Sequence, residues 1–121
     1  MQPADGESGA AESGFEVTLE TPEGVAVVHC GRDEYVWDAA ARSGVRLPSI
    51  CRQGRCLTCA GRLIRGSVDQ ADADSYFPED SAAGFVLLCR AKPLTDLLIR
   101  THQQWEMRRH RVDLGLPAQY A

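Results

Sequence analysis

The spacing of the cysteines constrains this chain more than any other feature of its sequence. Three of the five cysteines lie close together in the stretch SICRQGRCLTCAG (49–61), and a fourth follows much later. The resulting pattern is Cys51-x4-Cys56-x2-Cys59-x29-Cys89. An odd cysteine count without an export signal argues against a disulfide framework, because clustered thiols in a reducing compartment more often bind metal or do redox chemistry. A fold that uses all four thiols must bring Cys89 next to the segment that contains the other three.

Four thiolates suit either a tetrahedral zinc ion or the irons of an iron–sulfur cluster. A structural zinc site usually pairs its ligands in two short C-x2-C units, whereas this chain has one such unit. A thioredoxin-like C-x-x-C opens a helix, but CLTC leads into the apolar stretch AGRLI. His29, His102 and His110 do not have the spacing of a Rieske centre. The pattern matches the known plant-type [2Fe–2S] spacing, and Gly54 permits a tight loop around such a cluster.

Short apolar segments separated by turn residues predict an α+β domain. FEVTLE (15–20) and VAVVHC (25–30) flank TPEG and predict a β-hairpin. Apolar residues at helical spacing, with acidic residues before them and a glycine after them, predict a helix over 33–43. The remaining predicted elements are strands over 60–65, 85–89 and 95–100 and one helical turn near 75–82. Five strands and one main helix indicate an α+β fold with a mixed sheet.

Several segments together resemble one known family. YVWDAAARSGVRLPSIC, CAG, SVDQ, GFVLLC and IRTH occur in family order, and over roughly residues 15–107 the chain resembles plant- and cyanobacterial-type [2Fe–2S] ferredoxins. Adrenodoxin-type ferredoxins resemble it less, because their first two ligands are one residue further apart. The resemblance implies a β-grasp (ubiquitin-like) fold with a cysteine-rich cluster-binding loop and one-electron transfer at about −400 mV. It also implies one [2Fe–2S] cluster, with Cys51, Cys56, Cys59 and Cys89 as its ligands.

The chain departs from the family pattern around the cluster loop. Ile50 stands where the family often has Ser, Arg55 where a small or hydroxyl residue is common, and Leu57 where Ser is common. Near the C-terminus, a functional Glu of the family falls on Gln104. These departures change several of the contacts that ferredoxin:NADP reductase recognises.

The family usually ends near Met107, which divides the chain into three parts. Residues 1–13 are rich in Gly, Ser, Ala and acidic residues and are predicted to be a disordered tail. Residues 14–107 are the [2Fe–2S] ferredoxin domain, and residues 108–121 are a C-terminal extension, as in ferredoxin-C-like variants. The start has neither an apolar signal segment nor an Arg-rich transit pattern. We therefore expect a bacterial cytoplasmic protein, or one of the plastid stroma if the N-terminus is a processed form.

The charges are distributed unevenly around the cysteine loop. Five arginines and no acid lie between positions 44 and 65, and five acids and no base lie between positions 66 and 80. Such runs are most often solvated faces, and the functional alternative is a bipolar docking surface that orients a carrier. Arg55 and its neighbours are expected to stabilise the reduced cluster and raise its potential. The net charge of −4 gives no reason to expect nucleic acid, and no apolar run approaches the ~20 residues of a membrane span.

Other conspicuous side chains are predicted to be structural. Cys30 is expected to be a small buried hydrophobe, and Trp37 and Phe85 are expected in the core. The aromatic pair at 76–77 either packs the acidic loop (67–84) or is exposed near the cluster. The basic stretch RRHR (108–111) is predicted to be solvated rather than to bind an anion.

The sequence as a whole predicts a soluble one-electron carrier that is not an enzyme. We expect it to be a monomer that takes an electron from a reductase and passes it to a reductase or oxygenase through small, transient interfaces. One alternative is a redox-sensing or iron-sensing regulator that acts through its cluster and its C-terminal extension. A second is a zinc-stapled interaction module without redox activity.

Overall fold

The computed structural model describes residues 14–49 and 57–118. None of the helices in these two ranges has the length and apolar character required to cross a bilayer. The elements in these ranges are β1 (Gly14–Thr21), β2 (Gly24–Gly31), α1 (Val36–Arg42), β3 (Ala60–Arg65), β4 (Val68–Asp69), α2 (Pro78–Ala82), β5 (Phe85–Leu87), a 3-10 turn (Leu88–Arg90), β6 (Lys92–Pro93), β7 (Leu97–Arg100) and α3 (Gln104–Leu114).

Strands β1 and β2 form the predicted hairpin. They pair antiparallel along their whole length, from Gly14 opposite Gly31 to Thr21 opposite Gly24. The hydroxyl of Thr21 donates a 2.7 Å hydrogen bond to the Gly24 carbonyl, and Gly24 has φ of 129°. Residues that carry a side chain rarely adopt this backbone conformation, so the glycine of TPEG allows the tight turn.

The main sheet is mixed and has five strands in the order β2-β1-β7-β3-β5. Strand β1 pairs parallel with β7, and the other neighbouring pairs are antiparallel. Strands β4 and β6 form a separate two-stranded ladder. The first and last strands of the sheet therefore lie side by side at its centre, which is the β-grasp arrangement. The predictions of an α+β fold and of a mixed sheet are confirmed.

Helix α1 packs on the sheet and closes the main core. It is shorter than the predicted range 33–43, because the Glu34 carboxylate accepts a 3.0 Å hydrogen bond from the Gly31 N–H and holds the preceding residues in a turn. Trp37 is half-buried, and its Nε1 donates a 3.0 Å hydrogen bond to the Leu47 carbonyl, which holds the segment leading to the cysteine loop. The buried core residues are Val17, Leu19, Val28, Cys30, Val36, Ala39, Ala40, Leu47, Val86, Leu88, Ala91, Leu97 and Ile99.

The C-terminal helix α3 is longer than α1 and ends at Gly115, which has φ of 74°. The prediction that RRHR is solvated is wrong for Arg111. Its side chain is fully buried, and its Nη2 lies 2.7 Å from Asp80 Oδ2. Arg111 follows the buried Met107 by four residues, so both side chains lie on the helix face that packs against the domain.

Cys30 is fully buried in the main core, as predicted, and its thiol donates to the Glu34 carbonyl at 3.3 Å. Burial, with a smaller contribution from the Glu34 carboxylate, raises the pKa of Cys30 to about 12. Because the thiolate is the reactive form, we expect iodoacetamide at pH 8 to alkylate Cys30 about a thousandfold more slowly than an exposed cysteine. Peptide mapping by mass spectrometry measures this rate. Alkylation as fast as that of glutathione would contradict the buried position.

Candidate metal centre

Cys59 and Cys89 are brought together by the pairing of β3 with β5. Ala60, the first residue of β3, lies opposite Leu87, the last residue of β5. The pairing continues one step further, because the Leu88 N–H donates a 3.2 Å hydrogen bond to the Cys59 carbonyl. The two cysteines therefore lie at the same end of neighbouring strands, although 30 positions separate them in sequence.

The two thiols form a close pair in an apolar environment. Cys59 Sγ lies 3.1 Å from Cys89 Sγ, and the residues are only 1% and 5% exposed. Leu57, which departs from the family pattern, is fully buried beside them. The buried residues around the thiols are Leu57, Ala60, Phe85, Leu87 and Met107. Cys51 and Cys56 lie outside the described residues, as do Ile50, Gly54 and Arg55.

This pair fits an iron–sulfur site in both chemistry and position. Thiolate sulfur is the ligand type that iron–sulfur clusters use, and two sulfurs this close can bind the same metal ion. The apolar residues around them limit access of water, which is a factor that helps to set the potential of a cluster. The described half of the predicted ligand set therefore suits a [2Fe–2S] group.

A short turn after β5 places Cys89. The sequence predicted a strand through position 89, but β5 ends at Leu87 and a 3-10 turn follows over Leu88–Arg90. The Gln70 side chain supports this strand end in place of a further strand. Its Oε1 accepts from the Leu87 N–H at 2.6 Å, and its Nε2 donates to the Leu87 carbonyl at 3.1 Å. Sequence pattern assigns Gln70 no role of its own, although Gln70 belongs to the segment SVDQ that resembles the family.

The aromatic pair at 76–77 packs the acidic loop rather than standing exposed. Tyr76 is half-buried, its hydroxyl donates a hydrogen bond to the Phe85 carbonyl, and burial raises its pKa. The guanidinium of Arg111 lies 4.8 Å from the centroid of the Phe77 ring. Phe85 is buried in the core around the thiols, as predicted. These contacts place the acidic loop and α3 against the strand that leads to Cys89.

Four of the five acids of the acidic run are exposed and one is buried. Asp69, Asp72, Asp74 and Glu79 are exposed, whereas Asp80 is fully buried. Asp80 accepts hydrogen bonds from Arg111 and from the Phe77 N–H, so it is a structural residue. The spacing of four residues between Met107 and Arg111 along α3 is the sequence signal that could have identified Arg111 as its buried partner.

Comparison with known proteins agrees with this site. The family model described as 2Fe-2S iron-sulfur cluster binding domain matches residues 20–94, which include all four cysteines of the predicted ligand set. Ferredoxin-2 from Synechococcus sp. is 47% identical over 75 residues, which cover 62% of this chain and 71% of the relative.

Solved structures show the same fold. The structure of pectocin M2 superposes with a TM-score of 0.67 at 28% identity, covering 84% of this chain and 40% of that one. The Amycolatopsis cytochrome P450 reductase GcoB superposes with a TM-score of 0.65 at 33% identity, covering 73% of this chain and 26% of that one. This chain thus spans less than half of either solved chain.

The family match covers more than half of the chain, and the relatives found by sequence are ferredoxins. The prediction of an electron carrier that is not an enzyme is confirmed, and the regulatory alternative is not favoured. The chain therefore belongs to the 2Fe-2S iron–sulfur cluster binding domain family, as an electron-transfer protein of the plant and cyanobacterial ferredoxin type with one [2Fe–2S] cluster.

Proposed function

We propose that Cys51, Cys56, Cys59 and Cys89 are the four cluster ligands. The observation that carries this proposal is the buried contact of 3.1 Å between Cys59 Sγ and Cys89 Sγ. It is supported by the family match, which includes all four positions. When bound, a [2Fe–2S] cluster accepts and releases one electron. The role of the chain is to hold the sulfurs in an apolar environment that limits water access.

We also propose the direction and partners of electron transfer. The carrier takes an electron from a reductase and passes it to a reductase or an oxygenase, by transient docking as a monomer. The likeness to a cytochrome P450 reductase supports an oxygenase system as the destination. The exposed acids at 69, 72, 74 and 79 suit a basic partner surface, because complementary charge mainly accelerates association.

The proposed division of the chain follows from the family's length. Residues 14–107 carry the electron-transfer domain, residues 1–13 precede it, and residues 108–121 extend it. Helix α3 runs from 104 to 114 and so crosses the boundary of the extension.

The thiols of the described part favour a reducing compartment, which supports the bacterial cytoplasm, or the plastid stroma for a processed form.

The carrier function is tested by following one electron in and out of the purified protein. After anaerobic reduction with dithionite, we expect a rhombic EPR signal from about one unpaired electron per chain, with an average g value below that of the free electron. Mixed with oxidised cytochrome c, the reduced protein is expected to lose this signal and to reduce about one equivalent of cytochrome c.

The control is the same preparation reoxidised in air before mixing, which should reduce no cytochrome c. An EPR-silent, colourless protein that contains zinc would contradict the proposal. A reduced protein that keeps its electron in the presence of excess cytochrome c would contradict the carrier role while leaving the cluster in place.

A further inference from the structure

Arg90 directly follows Cys89 and is held against Tyr35. Its Nη1 donates a 3.0 Å hydrogen bond to the Tyr35 hydroxyl, and its guanidinium lies 4.9 Å from the centroid of the Tyr35 ring. Stacking and hydrogen bonding together restrict the guanidinium to one position beside the proposed ligand.

Tyr35 is itself held in place by Asp72, which also contacts Lys92. Its hydroxyl donates a 2.6 Å hydrogen bond to Asp72 Oδ2, and Lys92 Nζ lies 3.3 Å from the same oxygen. The hydrogen bonds from Tyr35 and Lys92 hold the pKa of Asp72 below its ordinary value, so this carboxylate stays ionised. The network therefore links Arg90 to the acidic loop and to β6.

The Nε–H group of Arg90 is not used by the contact with Tyr35. Its Nε is buried and has no hydrogen-bond partner within residues 14–49 and 57–118. A buried donor without an acceptor destabilises the folded state, and more so when the donor is charged. Buried donors are almost always paired in native proteins, so an acceptor is expected nearby. The neighbouring residue is Cys89, whose own Sγ does not accept this hydrogen bond, so the acceptor expected there is another sulfur of the cluster, namely an inorganic sulfide.

We propose that Arg90 Nε donates a charge-assisted hydrogen bond to a sulfur of the cluster site and thereby raises its reduction potential. The inference rests on the proposed role of Cys89 as a ligand. Reduction adds one electron to an already anionic group and transfers no atom. A fixed positive donor stabilises the more negative state more strongly, so it favours reduction. Arg90 is a positioning and tuning residue here, and it exchanges no electron itself.

The test compares two variants of the full-length holoprotein that each remove one positive charge from this network. Arg90→Gln is expected to shift the reduction equilibrium about tenfold towards the oxidised state, a midpoint about 59 mV lower for a one-electron couple. Lys92→Gln, which is the matched control, is expected to shift it about threefold at most, because Lys92 contacts Asp72 at the half-exposed end of the network. Midpoints are measured by EPR-monitored redox titration.

A third variant separates the hydrogen bond from the charge. Arg90→Lys keeps the positive charge but removes Nε, so its midpoint is expected to fall between those of the wild type and Arg90→Gln. A midpoint of Arg90→Lys equal to that of the wild type would overturn the proposed hydrogen bond from Nε to the cluster site. An effect of Arg90→Gln no larger than that of Lys92→Gln would overturn it as well.

Cluster content keeps this test independent of the ligand proposal. Iron and acid-labile sulfide are measured for each variant, and only fully loaded samples are titrated. If Arg90→Gln does not hold its cluster, Arg90→Lys and Tyr35→Phe decide, and wild-type midpoints in both would overturn the inference. Failure of the ligand proposal has a different signature, which is full cluster content after loss of Cys89.

Discussion

Replacing Cys89 with alanine is expected to leave the protein without its cluster. Cys89 is 5% exposed, and its Sγ lies 3.1 Å from that of Cys59, so no water or surface side chain can readily take its place. Iron and acid-labile sulfide should fall from about two of each per chain to near zero, and the visible absorption and the EPR signal should disappear. Because metal binding is coupled to folding, we also expect a lower thermal midpoint.

Cys30→Ala is the matched control for this experiment. Cys30 is equally buried, but it lies in the main core and its thiol contacts the Glu34 carbonyl. Its removal should cost only packing, about 1 kcal/mol, and leave iron, sulfide and EPR signal unchanged. Full cluster content in Cys89→Ala would show that another residue is the fourth ligand. Loss of the cluster in Cys30→Ala would show that cluster retention follows core stability rather than ligation.

The parts of the fold that could be predicted are those set by local pattern. Two segments rich in β-branched and apolar residues flank the turn TPEG and predict the hairpin, and the structure contains it. The buried face of α1 follows from residues at helical spacing. Cys59 and Cys89 could be paired from spacing and resemblance, because a ligand set has to converge wherever it lies in the chain.

The parts that escaped prediction depend on contacts between distant positions. Gln70 supports the end of β5, and Arg90 stacks on Tyr35 across 55 positions. Arginine and glutamine are usually exposed, so composition alone assigns them to the surface. Only the assembled structure shows which groups their side chains contact. The prediction that Arg111 is solvated was wrong for the same reason, because a run of basic residues is expected to be solvated unless a buried acidic partner such as Asp80 is known.

Arg111 connects the C-terminal helix to the acidic loop. Its Nη2 donates to Asp80 Oδ2 and to the Ser75 carbonyl, both at 2.7 Å, and its Nη1 donates to the Pro117 carbonyl at 3.1 Å. Met107, one turn earlier on α3, packs among the residues around Cys59. A deletion of 108–121 would therefore remove a buried part of the fold, so point variants test the extension more cleanly.

Arg111→Ala is expected to lower the free energy of unfolding by about 3–5 kcal/mol, because it leaves the buried Asp80 carboxylate without its guanidinium partner and with only the His110 ring nitrogen, 3.4 Å away, beside it. For a domain of this size, that corresponds to a thermal midpoint lower by roughly 12 °C or more. Far-UV circular dichroism and the visible absorption of the cluster, followed at one scan rate, measure the change. At low temperature the variant should still hold its cluster, since none of the four proposed ligands is altered.

Arg100→Ala is the control for a solvated ion pair. Arg100 Nε lies 3.2 Å from Glu20 Oε1, but the arginine side chain is 56% exposed, so its loss should cost less than about 1 kcal/mol. The double variant Asp80→Ala/Arg111→Ala should be less destabilised than the sum of its single variants, because it leaves no buried unpaired charge. An Arg111→Ala variant as stable as Arg100→Ala would mean that the buried pair does not fasten α3 to the domain.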